Sequence, residues 1–159
     1  MKDLDDNKAL TITLKTIFGL EEVLGEELAE LGYTKYKVLN RAVQLEGTWK
    51  DVYYLNLHLR CAISVLVQIA SFRIHSEDDL YKKAMKIDWT GYFGLDKTFA
   101  VKGAVFSDLF SHTQYPFLVV KDAIADTFRD RYNERPDVNI KSPQVLFDVY
   151  INKNDIDIK

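Results

Sequence analysis

Residues 20–33 read LEEVLGEELAELGY, and this stretch decides the fold of the amino-terminal half. Leu20, Val23, Leu24, Leu28 and Leu31 recur at helical spacing, while Glu21, Glu22, Glu26, Glu27 and Glu30 mostly occupy the other face. Gly32 stands where a helix carboxyl cap belongs. Upstream, Leu10, Ile12 and Leu14 alternate with Thr11, Thr13 and Lys15, the two-residue period of a strand. Downstream, Tyr36 and Val38 and then Val43 and Leu45 repeat that period, with Asn40-Arg41 as the hairpin turn and Gly47 closing the pair. Thr48 and Asp51 make a capping-box-like start to a second helix, whose inner stripe is Val52, Leu55 and Leu59. Residues 62–72, AISVLVQIASF, read as one long strand buried on much of both faces. The order is β-α-β-β-α-β, the ferredoxin-like arrangement. It assigns an α+β class and no function, because that fold hosts many activities.

The second half has its own pattern. Ser76, with Asp79 three residues on, starts a helix over EDDLYKKAMKI, and Asp88 to Phe93 form a short helical turn. TFAVKGAVF is a strand with Phe99, Val101 and Val105 on one face and Lys102 on the other. Pro116 sits in the first turn of a long helix with Phe117, Val120, Ile124 and Phe128 inward, and Arg135-Pro136 stops it. Val145, Phe147, Val149 and Ile151 form a strand. Asn152 to Asp155 make a polar turn, and Ile156 and Ile158 begin a returning strand that reaches Lys159. That ending suggests a piece of something longer. The expected division is residues 1–73 and 74–159, with Arg73 to Ser76 as the joint.

Composition limits the function. Of the 159 residues 47% are hydrophobic and 28% charged, which suits a solvated domain with a real core. The net charge of −3 means that any nucleic-acid contact must come from a local basic patch. A single cysteine, Cys61, precludes an internal disulfide. The longest apolar run, Cys61 to Ala70, is too short to span a bilayer, and the acidic opening MKDLDDNK lacks the apolar core of a signal peptide. A cytoplasmic protein without membrane contact is expected.

Six short strings in the second half, taken in order, resemble the THUMP domain: Ser76 to Tyr81, Ile87 to Trp89, Phe99 to Val101, Gln114-Tyr115, Val120 to Phe128 and Arg135 to Val138. Gly19 to Leu28, G-L-E-E-V-L-x-E-E-L, resembles the ferredoxin-like segment that precedes THUMP in one branch of RNA methyltransferases. That branch is similar to bacterial enzymes that methylate guanine amines of large-subunit ribosomal RNA; its members also carry the label adenine-specific DNA methylases. The resemblance implies an RNA-binding targeting module. Its partners would be structured RNA, ribosomal by analogy, and a carboxyl-terminal methyltransferase domain using S-adenosylmethionine. The chain itself has no G-x-G loop after a strand and no N-P-P-Y or D-P-P-Y motif, so no catalytic residue and no cofactor is expected within it.

On that resemblance the expected RNA surface is the segment Ser107 to Tyr115 entering the helix at Pro116. Ser111, His112, Thr113 and Gln114 would donate to phosphate at a helix amino terminus, and Tyr115 would stack on an unpaired base. Lys121 and Arg129 share a helix face, and Lys102 extends the patch; Arg73, Lys82, Lys83 and Lys86 are further basic candidates, though adjacent helix lysines such as Lys82 and Lys83 are usually just solvated. The plainer alternative is a polar loop whose Ser or Thr caps the helix, with Asp126 pairing Arg129. His58, Cys61, His75 and His112 lack metal-ligand spacing, and the glutamates of the first helix read as its solvent face without an acid–base role. Trp89 is assigned to the core. A competing function is a ligand-sensing or protein-interaction module on a ferredoxin-like fold, which suits the acidic charge. An acylphosphatase-like enzyme would need a phosphate-cradling loop with arginine where Ile17-Phe18-Gly19-Leu20 stands.

Overall fold

A computed structural model describes residues 7–159; the acidic opening, read above for targeting, lies outside the described residues through Asp6. The chain forms two compact units, one ending at Gln68 and the other beginning at Ile69.

The first unit contains β1 (Leu10–Lys15), α1 (Glu21–Glu30), β2 (Tyr36–Leu39), β3 (Ala42–Gly47), α2 (Trp49–His58) and β4 (Ser64–Val67). Its sheet order is β2-β3-β1-β4, antiparallel throughout, as the β-α-β-β-α-β reading requires. Ile12 and Leu14 from β1 meet Leu24 and Leu28 from α1 and Leu55 from α2, all fully buried. Asn40-Arg41 forms the expected turn, with Arg41 in the left-handed region. Asp51 accepts from the backbone N–H and hydroxyl of Thr48 at 2.7 and 2.8 Å, so the start of α2 is fixed as read. The α1 glutamates do more than face solvent. Glu21 accepts from the Gly19 and Arg41 amides at 2.7 and 2.9 Å, and Glu27 from those of Arg60 and Cys61 at 2.7 and 3.1 Å. They tie three loops to one helix.

The expected long strand over residues 62–72 is two strands. Gln68 donates its amide to Thr11 of the first sheet at 3.0 Å, and the next amide, Ile69, donates to Ile158 of the second at 2.8 Å. β4 ends the first sheet, and β5 (Ala70–Arg73) pairs with the second. Both are edge strands, which is why Ser64–Val67 is half-buried instead of enclosed on two faces.

The second unit continues with α3 (Glu77–Ala84), a 3-10 turn at Trp89–Gly91, β6 (Phe99–Phe106), α4 (Tyr115–Tyr132), β7 (Val145–Asn152) and β8 (Asp155–Ile158). Its mixed sheet has the order β5-β8-β7-β6, with β6 and β7 parallel and the other two strand pairs antiparallel. Trp89 is fully buried, donates its indole N–H to the Ala84 carbonyl at 2.9 Å and meets Phe147 edge-on at 5.1 Å. Two helix ends differ from the sequence reading. α3 starts after Ser76 as read, with Asp79 accepting from the His75 amide at 2.9 Å, but it ends at Ala84, short of Ile87. α4 stops at Tyr132 because Asn133 turns left-handed, φ 58°, three residues before Pro136.

Candidate functional site

The segment β6–α4–β7 is a parallel crossover, so the loop after β6 and the start of α4 lie at the carboxyl ends of both strands. Ligands gather at such ends in open α/β sheets. The register extends this end across the sheet. Phe106 pairs with Asn152, Asn152 with Asp155, and Asp155 with Arg73. At about 4.8 Å per strand spacing, Arg73 lies roughly 14 Å from Phe106 along one row. A cleft of about 590 Å³ opens there, walled by Phe106 to Leu109 and by Asn152 to Asn154.

The loop is shaped by its apolar residues. Phe110 is buried and Leu109 partly so, both against the second core. Ser107 Oγ accepts from the Leu109 amide at 3.2 Å. With the loop pinned at that point, Ser111, His112, Thr113, Gln114 and Tyr115 are all exposed. No side chain caps α4. Gln114 stands at the cap position in helical conformation, and the Tyr115 amide donates to the His112 carbonyl at 3.2 Å. The alternative of a Ser or Thr capping the helix is therefore not what forms.

The basic candidates separate by place. Arg73 is at the row itself, 3.4 Å from the Asp155 carboxylate, and its carbonyl accepts from Lys83 Nζ. Lys121 lies six residues into α4, about 9 Å along the axis, and pairs with Asp122 at 3.1 Å. Arg129 lies fourteen residues in, about 21 Å along, towards the opposite end of the sheet. There it pairs with Asp126 at 2.7 Å, and Asp126 also accepts from the Tyr81 hydroxyl at 2.8 Å. Lys102 is exposed on the sheet face turned from the helices, four residues before Phe106. The structure thus brings Arg73 and the loop to one end and leaves Arg129 away from it.

Lys153 is the residue that sequence reasoning missed. It is exposed, forms the β7–β8 turn with φ 55°, and donates its amide to the Phe106 carbonyl at 2.7 Å. A polar turn was legible there, but its place beside the loop after β6 depends on strand order. Lys83, one of the further basic candidates, also reaches the row through the Arg73 carbonyl. The cleft is not uniformly basic, since Asp108 lines it too.

S-adenosylmethionine, implied for a parent enzyme, does not fit these residues. The one parallel crossover among the described elements has the loop SDLFSHTQ, without a glycine to let backbone approach a cofactor. No group of three or more His, Cys, Asp or Glu side chains converges as a metal site among the described residues. Cys61 stands in the loop before β4, and burial followed by the Glu27 charge pushes its thiol up, away from nucleophilic use. Among the described residues no helix is long and apolar enough to cross a membrane.

Comparison with known proteins gives two family matches, an RlmL ferredoxin-like domain over residues 11–66 and a THUMP domain over residues 75–158. The Ribosomal RNA large subunit methyltransferase K/L of Buchnera aphidicola subsp. Schizaphis graminum is 35% identical over 139 residues, 87% of this chain and 20% of that protein. A predicted N6-adenine-specific DNA methylase from Listeria monocytogenes is 26% identical with a TM-score of 0.79, over 95% of this chain and 40% of its own. A possible methylase from Clostridium difficile 630 is 26% identical with a TM-score of 0.76, over 95% and 40%. The chain therefore spans a fifth of the curated relative and two fifths of each solved one.

Proposed function

The chain belongs to the THUMP-domain family, with an RlmL ferredoxin-like domain ahead of it, and from that premise we propose that it is the RNA-holding module of a longer, S-adenosylmethionine-dependent ribosomal RNA methyltransferase. The observation that carries this reading is the row at one end of the second sheet. It sets Lys153 beside an exposed, uncapped loop-to-helix entry and puts Arg73 and Lys83 on the same row, roughly 14 Å from Phe106. The anion-binding groups are local, which is what RNA binding by a chain of net charge −3 requires.

Each group has a definite task. Arg73 offers a planar fork to phosphate once it leaves Asp155, and Lys153 and Lys83 act as point charges. Ser111, Thr113 and Gln114 donate hydrogen bonds, His112 adds a further polar contact, and the first turn of α4 contributes positive potential. Tyr115, 42% exposed, offers a ring to an unpaired base. Lys121 and Lys102 reinforce the field from α4 and from the open sheet face, and Arg129 contributes least. Domain limits at 1–73 and 74–159 would assign β5 to the amino-terminal part. Its pairing with β8 favours drawing the limit at Gln68 instead. The chemistry resides in a methyltransferase domain of the longer protein, and the place of work is the cytoplasm.

The test is a mobility shift with a structured ribosomal RNA hairpin. Reversing Arg73 and Lys153 together to Glu removes two phosphate contacts of roughly 1 kcal/mol each, so affinity falls more than tenfold. Lys121→Glu weakens binding less, and Arg129→Glu leaves it unchanged. Equal affinity of the double variant and the unaltered chain would refute the assignment. Self-association or small-molecule stabilisation without any RNA shift would favour the ligand-sensing or protein-interaction reading.

A further inference from the structure

We propose that Phe106 and Tyr150 form a stacking platform for an unpaired base of the bound RNA; this rests on the RNA-binding reading above. Alternation along the strands sets the platform on the sheet face opposite α3 and α4. Phe99, Val101 and Val105 of β6 and Phe147, Val149 and Ile151 of β7 belong to the helix-covered core. Phe106 and Tyr150 therefore project the other way. Phe106 is 60% exposed and Tyr150 37%, with ring centroids 5.8 Å apart and planes at 54°. Ala104 pairs with Tyr150 in the register, so a small side chain leaves the ring's flank open.

The polar surroundings select the occupant. Lys159 Nζ stands 5.8 Å from the Tyr150 ring centroid and Lys102 lies two residues before Ala104, while Asp157 and Asp148, the register partners of Tyr150 and Lys102, share that face. Exposed rings among charged groups of both signs suit a polar-edged base better than an apolar protein surface. Position agrees. Phe106 is both the last residue of β6 and a wall of the cleft, at the end of the row that begins with Arg73. A strand with phosphates along that row brings a base over the edge of the sheet onto Phe106. Stacking needs only a π-face, so the platform reads unpairedness and not base identity.

The experiment compares two RNAs of equal length with the 159-residue chain, a hairpin with an unpaired loop and a fully paired duplex. The variants are Phe106→Ala, Phe106→Leu and Phe106→Tyr. Leucine keeps apolar area without a π-face, and tyrosine keeps the ring. At this exposed site all three retain the thermal midpoint of the unaltered chain. The expected result is a loss of about tenfold in hairpin affinity for the Ala and Leu variants, within the range measured for base stacking. The Tyr variant matches the unaltered chain, and duplex affinity does not change. A 2-aminopurine in the loop is quenched by the unaltered chain and not by Phe106→Ala. Hairpin affinity unchanged in the Leu variant overturns the platform alone. So does an equal loss for hairpin and duplex, or loss of self-association with RNA binding intact. If the unaltered chain binds neither RNA, the RNA-binding reading falls, and the platform with it.

Discussion

Alanine at Gly103 would push a methyl group into the backbone of the neighbouring strand. An ideal Cβ there lies 1.8 Å from the Val149 carbonyl oxygen, 2.6 Å from its carbon and 2.9 Å from its nitrogen. Gly103 and Val149 are direct register partners in the parallel β6–β7 ladder. Ordinary contact requires roughly 3.5 Å, so the strands must part by about 1.7 Å. That separation breaks the flanking ladder bonds, at about 1 kcal/mol net each. The accompanying overpacking strain adds about 1–3 kcal/mol. The sum is about 3–5 kcal/mol, a large fraction of the ~5–15 kcal/mol that holds a domain together. For a unit this size each kcal/mol moves the melting midpoint by about 4–8 °C, so a drop of at least about 12 °C is expected. The two tryptophans make the assay local, because Trp49 lies in the first unit and Trp89 is fully buried in the second. In a Trp49→Phe background the thermal fluorescence transition reports the second unit alone. A shift below about 3 °C for Gly103→Ala would show that the strands relax freely there, and the close approach would not be a fixed feature of the sheet.

Three other outcomes follow from specific residues. Lys153 occupies the left-handed region, where asparagine is at ease and lysine is not. Lys153→Asn should keep or raise stability by about 0.5–1 kcal/mol in urea unfolding while weakening RNA binding severalfold; lost stability with unchanged affinity would contradict its role. Thr13 is 2% exposed and its hydroxyl has no hydrogen-bond partner among the described residues. Thr13→Val should therefore stabilise by about 1 kcal/mol, and a loss of that size by denaturant titration would show that the hydroxyl has a partner. The Tyr33 hydroxyl donates to Asp51 at 2.7 Å. Burial, then this hydrogen bond, raises Tyr33; burial pushes Asp51 up, but the bonds from Tyr33 and Thr48 outweigh it and hold Asp51 below the usual carboxylate range. Asp51 thus contributes stability above its ordinary value of 3.8 that is lost as pH falls through its lowered value. Tyr33 contributes stability below 10.0 that is lost as pH rises towards its raised value. Tyr33→Phe should flatten the alkaline decline in the melting midpoint, and an unchanged decline would locate its origin elsewhere.

Local periodicity and capping made most elements readable. α1 followed from its leucine spacing, the start of α2 from Thr48 and Asp51, and β7 from four alternating apolar residues. The break between β4 and β5 was not readable, because Gln68-Ile69 carries no glycine or proline and both flanks favour strand. Which sheet accepts an amide is settled by distant partners, Thr11 for one and Ile158 for the next. The candidate site divides in the same way. Exposure of Ser111 to Tyr115 follows from the apolar Leu109-Phe110 beside it. Lys153 joins Arg73 through the β8–β5 pairing and the loop after β6 through the β7–β6 pairing, an order no local signal carries. Helical spacing gave Lys121 and Arg129 a shared face but not the ends of the sheet they approach.

A few cations at one end of the second sheet are proposed to hold the RNA phosphates. Salt titration of hairpin binding measures this directly. Counterion release gives about −0.7 in the slope of log affinity against log salt for each single-stranded phosphate neutralised. Arg73, Lys83 and Lys153 together predict a slope near −2, falling towards −0.7 when Arg73 and Lys153 are both reversed to Glu. An affinity independent of salt, or a slope the double variant leaves unchanged, would contradict the account.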